Sequence, residues 1–390
     1  MMGRPSLVMA HSARIGWLAA PLMALACSSG GGSAADSGPS SMGGGGESDS
    51  GGAVGSGGDD GGAGGIDAVP ADEGSVLGDT ATPADTTVGA DGFVTDGPDV
   101  NEQPGVFVVV GYGGRRARSL DDGQTWVDDM ALMPNGTDDQ TLLRAVSFGD
   151  QGFLAVGYRV MASLDGKTWI DHGATLNQWL GAVVRGQGLF IAVGGFGLRV
   201  SSPDGVTWKR HDIDTIASHA GSGLLFVDGA GQFVSTNDSG QRAHSPDGMT
   251  WTYATGADGA KSTLLAQGNG VLVGVGGTDV VISRDGGLSW TVAPSLTVAA
   301  QSVVFARGHF TVVANGHLLM SSDGQAWSDQ AVAGVGGGSL AYGHGTYVLV
   351  DNTGAVRRSV DGVAWTATLP RGTNGLAWVA FGPGLLTNQK

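Results

Sequence analysis

Two adjacent acidic pairs, Asp128-Asp129 and Asp138-Asp139, stand in the longest stretch between the repeated segments of this chain. Two carboxylates, one protonated and one ionised, are what glycosidic bond hydrolysis requires, held roughly 5 to 9.5 Å apart. Asp is also an ordinary loop residue, because its side chain accepts bonds from nearby backbone N–H groups and closes turns. Three cations lie just upstream, Arg115, Arg116 and Arg118. They could hold an anion or a carbohydrate, although a solvated strand end is the plainer expectation. Tyr112 and Trp179 fall at loop positions where a flat ring could stack on a sugar or pack beneath the loop. The single cysteine, Cys27, permits neither an internal disulfide nor a cysteine-based metal site, and the eight histidines show no zinc-ligand spacing. No metal and no cofactor is expected.

These residues hang on a repeat. The chain writes S-x-D-(x)-G-x-T/S/A-W seven times, ending at Trp126, Trp169, Trp208, Trp251, Trp290, Trp327 and Trp365, about 40 residues apart. The acidic members are Asp121, Asp165, Asp204, Asp247, Asp285, Asp323 and Asp361. Asp and Gly between two extended runs close a turn: Asp accepts backbone bonds, Gly supplies positive φ, and Trp anchors the turn to a core. In phase with these segments run short apolar stretches bounded by turn residues, such as Val106 to Gly111, Leu189 to Gly194 and Phe310 to Asn315. They read as buried strands. Another run with a Gly-rich hairpin precedes most of them, and one more leads into the Asp segment. The expected unit is therefore four strands, A to D, with the Asp segment between C and D. Seven such units of about 40 residues describe an all-β, seven-bladed propeller of four-stranded antiparallel blades.

The segments resemble the Asp-box, or bacterial neuraminidase repeat, family of the sialidase-like superfamily. The copies at 119–126 and 283–290 have its full length; the other five are one residue shorter, and Ala326 and Ala364 replace the Thr. The resemblance spans roughly 105–390. It implies a structural box between the third and fourth strands of each blade, with the seven Asp and seven Trp residues above in structural roles. It also raises sialidase activity, which in that family rests on an Arg triad and a Tyr–Glu pair. The only Glu residues here are 47, 73 and 102, so the repeats contain none and that pair cannot be built.

The ends carry two further expectations. The first repeat opens at strand B, and a spare A-type run, Leu376 to Gly382, follows the last repeat. The C-terminal strand should therefore complete the first blade and close the ring. At the other end, Arg4 and Arg14 precede an apolar run from Ile15 to Ala26 and then Cys27. Residues 1–26 read as a secretory signal peptide. The ending resembles a bacterial lipobox with Cys27 as the lipidated residue. Residues 27–104 read as a disordered Gly/Ser/Asp-rich linker: from 28 to 103 there is no Lys, Arg or His, and fourteen Asp and Glu fall in 28–104. Most of the formal net charge of −16 thus lies outside the propeller, and no basic footprint for nucleic acid is present.

The expected protein is an exported, monomeric surface lipoprotein of a bacterial outer membrane or cell surface, with a secreted form as the alternative. Its role reads as non-catalytic binding or scaffolding of a carbohydrate or a surface protein. The competing reading is a glycoside hydrolase using Asp128, Asp129, Asp138 and Asp139.

Overall fold

The computed structural model describes residues 105–136, 138–174, 176–211, 221–257, 259–370, 372 and 374–383. The expected signal peptide, linker and Cys27 lie outside them, as do Asp212, Asp214 and Asp258. The described residues form seven four-stranded antiparallel sheets. Six blades run through the chain in order. The seventh is composite: Leu376–Gly382 pairs antiparallel with Val106–Gly111, which pairs with Arg116–Ser119 and then Val127–Met130. We number this composite blade 1. The inner A strands of blades 2 to 7 are Leu143–Gly149, Leu180–Gly186, Gly221–Val227, Leu264–Gly268, Ala300–Ala306 and Gly338–Gly343. Each touches the next, and the last touches Leu376–Gly382, so the circle is closed.

The B strands show why the propeller forms. Val106–Gly111 is buried at all six positions. Alternate side chains of a strand point to opposite faces. Accordingly Val106, Val108 and Val110 enter the core shared with blade 2, and Phe107 and Val109 enter the core shared with blade 7. Burial on both faces explains a continuous apolar run in place of polar–apolar alternation. The same arrangement gives one core at each blade interface.

Strand direction creates two faces. A–B turns and the C–D boxes lie on one, the box face; B–C and D–A connections lie on the other, the loop face. Near the box face an A-strand ring packs on a B-strand ring in five blades: Phe381–Phe107, Phe148–Phe153, Phe226–Phe233, Phe305–Phe310 and Tyr342–Tyr347, with centroids 4.7–5.0 Å apart. In blade 3 the Arg185 guanidinium takes this place, 4.5 Å over Phe190. The following A-strand residue is small where the next blade's ring presses on it. A Cβ on Gly343 would stand 2.2 Å from Phe381, and one on Gly382 2.4 Å from Phe148.

Each box closes on itself. The Ser hydroxyl at the end of strand C donates to Asp Oδ1 at 2.8–3.2 Å in all seven. Asp Oδ1 then accepts the backbone N–H just before the Trp, from Thr125, Thr168, Thr207, Thr250, Ser289, Ala326 or Ala364. That bond needs only the backbone, so Ala at 326 and 364 keeps the box intact. These bonds hold the carboxyls low. Backbone N–H groups of Thr207 and Val206 hold Asp204 at about 2. At Asp247 and Asp285 burial pushes upward, but the hydrogen bonds outweigh it and hold both at about 2.

The box tryptophans divide in how far they anchor the turn. Trp251 and Trp290 are buried members of a blade-interface core. Trp126, Trp169, Trp208, Trp327 and Trp365 are only half-buried, each laid against the rim of a core. The expected anchoring to a core thus takes two forms, membership of the core in two blades and rim packing in five. The box lies at the outer, solvent-facing end of the blade, where one side of the indole stays wet. In six boxes the indole N–H of Trp169, Trp208, Trp251, Trp290, Trp327 or Trp365 donates to the box Gly carbonyl at 2.8–3.1 Å. Trp126 instead reaches Thr368 Oγ1 of blade 7 at 3.0 Å.

Candidate functional site

The acidic pairs named in the hydrolase alternative all bond within the chain. Asp128 and Asp129 were expected in the inter-blade loop, but they belong to the outer strand Val127–Met130. Asp128 accepts from Arg118 at 2.8 Å, and Asp129 takes a two-pronged bond from Arg115 at 2.9 Å on each oxygen. Asp139 pairs with Arg144 at 2.9 Å, and Asp138 closes a turn by accepting from the Thr141 N–H and hydroxyl. Charge-assisted, bidentate pairs of this kind position chain segments strongly.

The three arginines correct the expectation of a solvated strand end. Arg115, Arg116 and Arg118 are 3%, 8% and 9% exposed. Arg115 also donates to the carbonyls of Gly354 at 3.1 Å and Asn374 at 2.7 Å, which lie in loops of the neighbouring blade 7 and at the ring seam. Asn374 in turn donates to the carbonyls of Met133 and Gly136 and accepts from the Asn135 N–H. Arg118 crosses to the next blade's box, donating to the Asp165 carbonyl at 2.8 Å. Burial lowers the Arg116 pKa from its ordinary value, against the opposing charge of Asp171. Arg115 thus ties blade 1 to blade 7 and Arg118 ties it to blade 2, while Arg116 donates to the Gly114 carbonyl of its own blade.

Tyr112 and Trp179 both lie on the loop face and are half-buried. The Arg144 guanidinium covers one face of Trp179, 4.6 Å from the ring centroid. The Trp179 carbonyl accepts the Gly195 N–H at 3.0 Å, and a Cβ on Gly195 would meet the indole nitrogen at 2.8 Å. Trp179 therefore supports the next B–C loop from below. That loop carries a residue the composition and spacing left unmarked. Phe196 sits at φ +56° and ψ +37° and is 52% exposed. A left-handed conformation is costly for a residue with a side chain, and an exposed aromatic gains little burial to offset it. Blade 1 folds the same turn, Tyr112–Gly114, with glycine, Gly113, at φ +65°. The signal lies in the repeat alignment: Tyr112-Gly113-Gly114 against Gly195-Phe196-Gly197 places an aromatic where the fold favours glycine.

Between blades 3 and 4 lies a shallow depression with room for about one water, lined by Gly197, Leu198, Arg199, Thr236, Gln241 and Tyr253 among others. Arg199 lies over the box ring Trp251, 5.1 Å from its centroid. Tyr253 is 39% exposed. Gln241 Oε1 accepts from Asn237 Nδ2 at 2.9 Å, leaving its amide hydrogens for another partner. Thr236 is 2% exposed, and its hydroxyl turns to the other side of the strand, beside Gly223 and Leu265 at the interface with blade 5.

No protein-family profile matches the chain, and no curated protein matches it. Solved structures do. A structure of YCF48 bound to D1 peptide is 16% identical with a TM-score of 0.49, covering 70% of this chain and 88% of that one. YCF48 from Cyanidioschyzon merolae is 14% identical with a TM-score of 0.47, covering 63% and 96%. A nidogen/laminin complex is 11% identical with a TM-score of 0.47, covering 71% and 98%. At these identities the likeness concerns the fold.

Proposed function

We propose that this protein is a non-catalytic binding or scaffold module of the Asp-box type, held at a bacterial cell surface by lipid on Cys27, with a carbohydrate or a surface protein as its ligand. The observation that carries the reading is the use of the candidate carboxylates. Asp128, Asp129 and Asp139 each neutralise an arginine that joins strands or loops, and Asp138 closes a turn. The same face carries an exposed aromatic, Phe196. Chain entry suits an anchor. The Gly105 N–H donates to His344 Nδ1 at 3.4 Å, in the A–B turn of blade 7, so the propeller begins on the box face.

The test is a glycan array and a polysaccharide pull-down with the mature chain, run beside a reducing-sugar release assay on the same sugars. Binding without release is expected. Sustained release of reducing sugar, lost in Asp129→Asn, would overturn the reading in favour of a hydrolase.

A further inference from the structure

We infer that the connection leaving blade 1 is a docking surface, and that its occupant is a segment of a partner protein carrying Lys or Arg among apolar side chains; this rests on the binding-module reading above and takes its protein arm. The residues are Leu132, Met133 and Pro134, with Asp138 at their edge. Three D–A connections make the same bond to the B–C turn of their own blade. The N–H groups of Met133, Leu296 and Val332 donate to the carbonyls of Gly113, Thr278 and Gly316 at 2.8–3.0 Å. Leu296 and Val332 enter a blade-interface core and are 5% and 4% exposed. Met133 is 47% exposed, Leu132 beside it 42%, and Pro134 is exposed too. The blade 1 connection is longer, 131–142 against 294–299 and 332–337. Its apolar residues ride over the Tyr112–Gly114 turn, where a Cβ on Gly114 would touch Leu132. Elsewhere among the described residues, exposed large apolar side chains sit in boxes, on outer strands or, as Phe196, alone in a turn. Scattered single residues are ordinary; a run of neighbours marks a contact surface.

The patch is held in place before anything covers it. The Met133 carbonyl accepts from the Gly136 N–H at 2.9 Å and from Asn374 Nδ2 at 3.2 Å, and Asn374 is buried at the ring seam. A surface fixed in advance loses little ordering entropy on binding. Charge chooses the occupant. Residues 131–142 contain no Lys or Arg. Asp138 is exposed and spends Oδ1 on the Thr141 N–H and hydroxyl, with no cation against it among the described residues. Asp139 is partly exposed beside Arg144. An anionic rim attracts a cationic segment and repels an acidic one. Leu and Met offer an adaptable apolar surface without the hydrogen-bonding groups that sugar hydroxyls need.

The experiment pans random dodecapeptides displayed on phage against the mature chain and measures the synthetic winners by fluorescence anisotropy on wild type, Met133→Ser and Asp138→Asn. Asp138→Asn keeps the Oδ1 that closes the turn and removes only the charge. Winners that join Lys or Arg to Leu, Ile, Met or Phe are expected. Met133→Ser should weaken them about tenfold at an unchanged Tm, since this side chain is buried only by a partner. Asp138→Asn should weaken them about threefold and flatten the salt dependence. Light scattering of the chain alone should show a monomer. Winners that bind Met133→Ser with wild-type affinity would overturn the site and leave the binding-module reading standing. Acidic winners, or none, would overturn the partner's chemistry. Self-association lost in Met133→Ser would make the occupant a second copy and overturn it as well. Sustained sugar release lost in Asp129→Asn would instead remove the module reading itself.

Discussion

Arg115 shows how much one side chain contributes at the ring seam. It is 3% exposed and spends its N–H groups on Asp129, the Gly354 carbonyl and the Asn374 carbonyl. Its removal leaves a carboxylate and two carbonyls without their donor. Arg115→Ala should cost about 3 kcal/mol, the range seen when one partner of a buried pair is deleted. Arg115→Lys should recover only part of that, since a point charge cannot reproduce the two-pronged contact. Thermal unfolding of both variants checks this; a surface site would lose almost nothing. The partners also explain why sequence reading places Arg115 in solvent. They lie 239 and 259 residues away, and no local pattern encodes them. Phe196 escapes notice for a different reason: only a repeat-to-repeat comparison reveals it as an aromatic in a glycine's place.

At the scale of the element, the Asp boxes were legible because their chemistry is local. Ser, Asp and Gly bond within four residues of one another, so seven copies announced both the turn and the strands it joins. The depth of each box Trp was not legible, because it depends on the neighbouring blade: Trp290 is buried and Trp169 half-buried behind nearly the same local motif. Also hidden is how boxes join neighbouring blades. Four two-residue A–B turns, Gln187-Gly188, Asn269-Gly270, Arg307-Gly308 and His344-Gly345, place both residues at positive φ, as a type I′ hairpin requires. Three of their first side chains reach the next blade's box: Asn269 to the Ser322 carbonyl, Arg307 to the Val360 carbonyl, and His344 to Asp122 at 3.3 Å; Gln187 instead donates to the Gly231 carbonyl in the next blade's A–B turn.

Two predictions belong at this scale. The box carboxyls at 204, 247 and 285 sit at about 2 when folded, against about 3.9 for a free Asp. Lowered folded values mean that the unfolded chain binds protons first. The stabilisation is full above about pH 4 and disappears as the pH falls towards 2. Tm should fall steeply across that window, and a flat profile would contradict the clamp. Gly343→Ala should press on Phe381, 2.2 Å from the added carbon, and cost about 1–3 kcal/mol by overpacking. The same change at Gly345, with nothing within 4 Å, should show only the cost of its positive φ.

For the whole molecule, ring closure depends on Leu376–Gly382 pairing with Val106–Gly111 across a six-residue register. Deleting 376–390 removes the inner strand of blade 1 and uncovers Phe107 and Val109, both fully buried. The truncated chain should unfold far below wild type and bind a hydrophobic dye; an unchanged melting curve would contradict closure. This architecture was legible because the spare strand at one end matched the missing strand at the other. The site was less legible because a propeller places chemistry on loops whose neighbours come from different repeats. Residues of the depression such as Arg199 and Gln241 belong to separate blades and meet only in the ring.

The most direct measurement is amide hydrogen exchange of the mature chain with and without the sugars of the array, with products assayed in the same tubes. The account predicts added protection on the loop face, unchanged exchange in the boxes, and sugars recovered intact. Protection confined to 128–139, with sugar consumed, would contradict it and make the acidic pairs a catalytic centre.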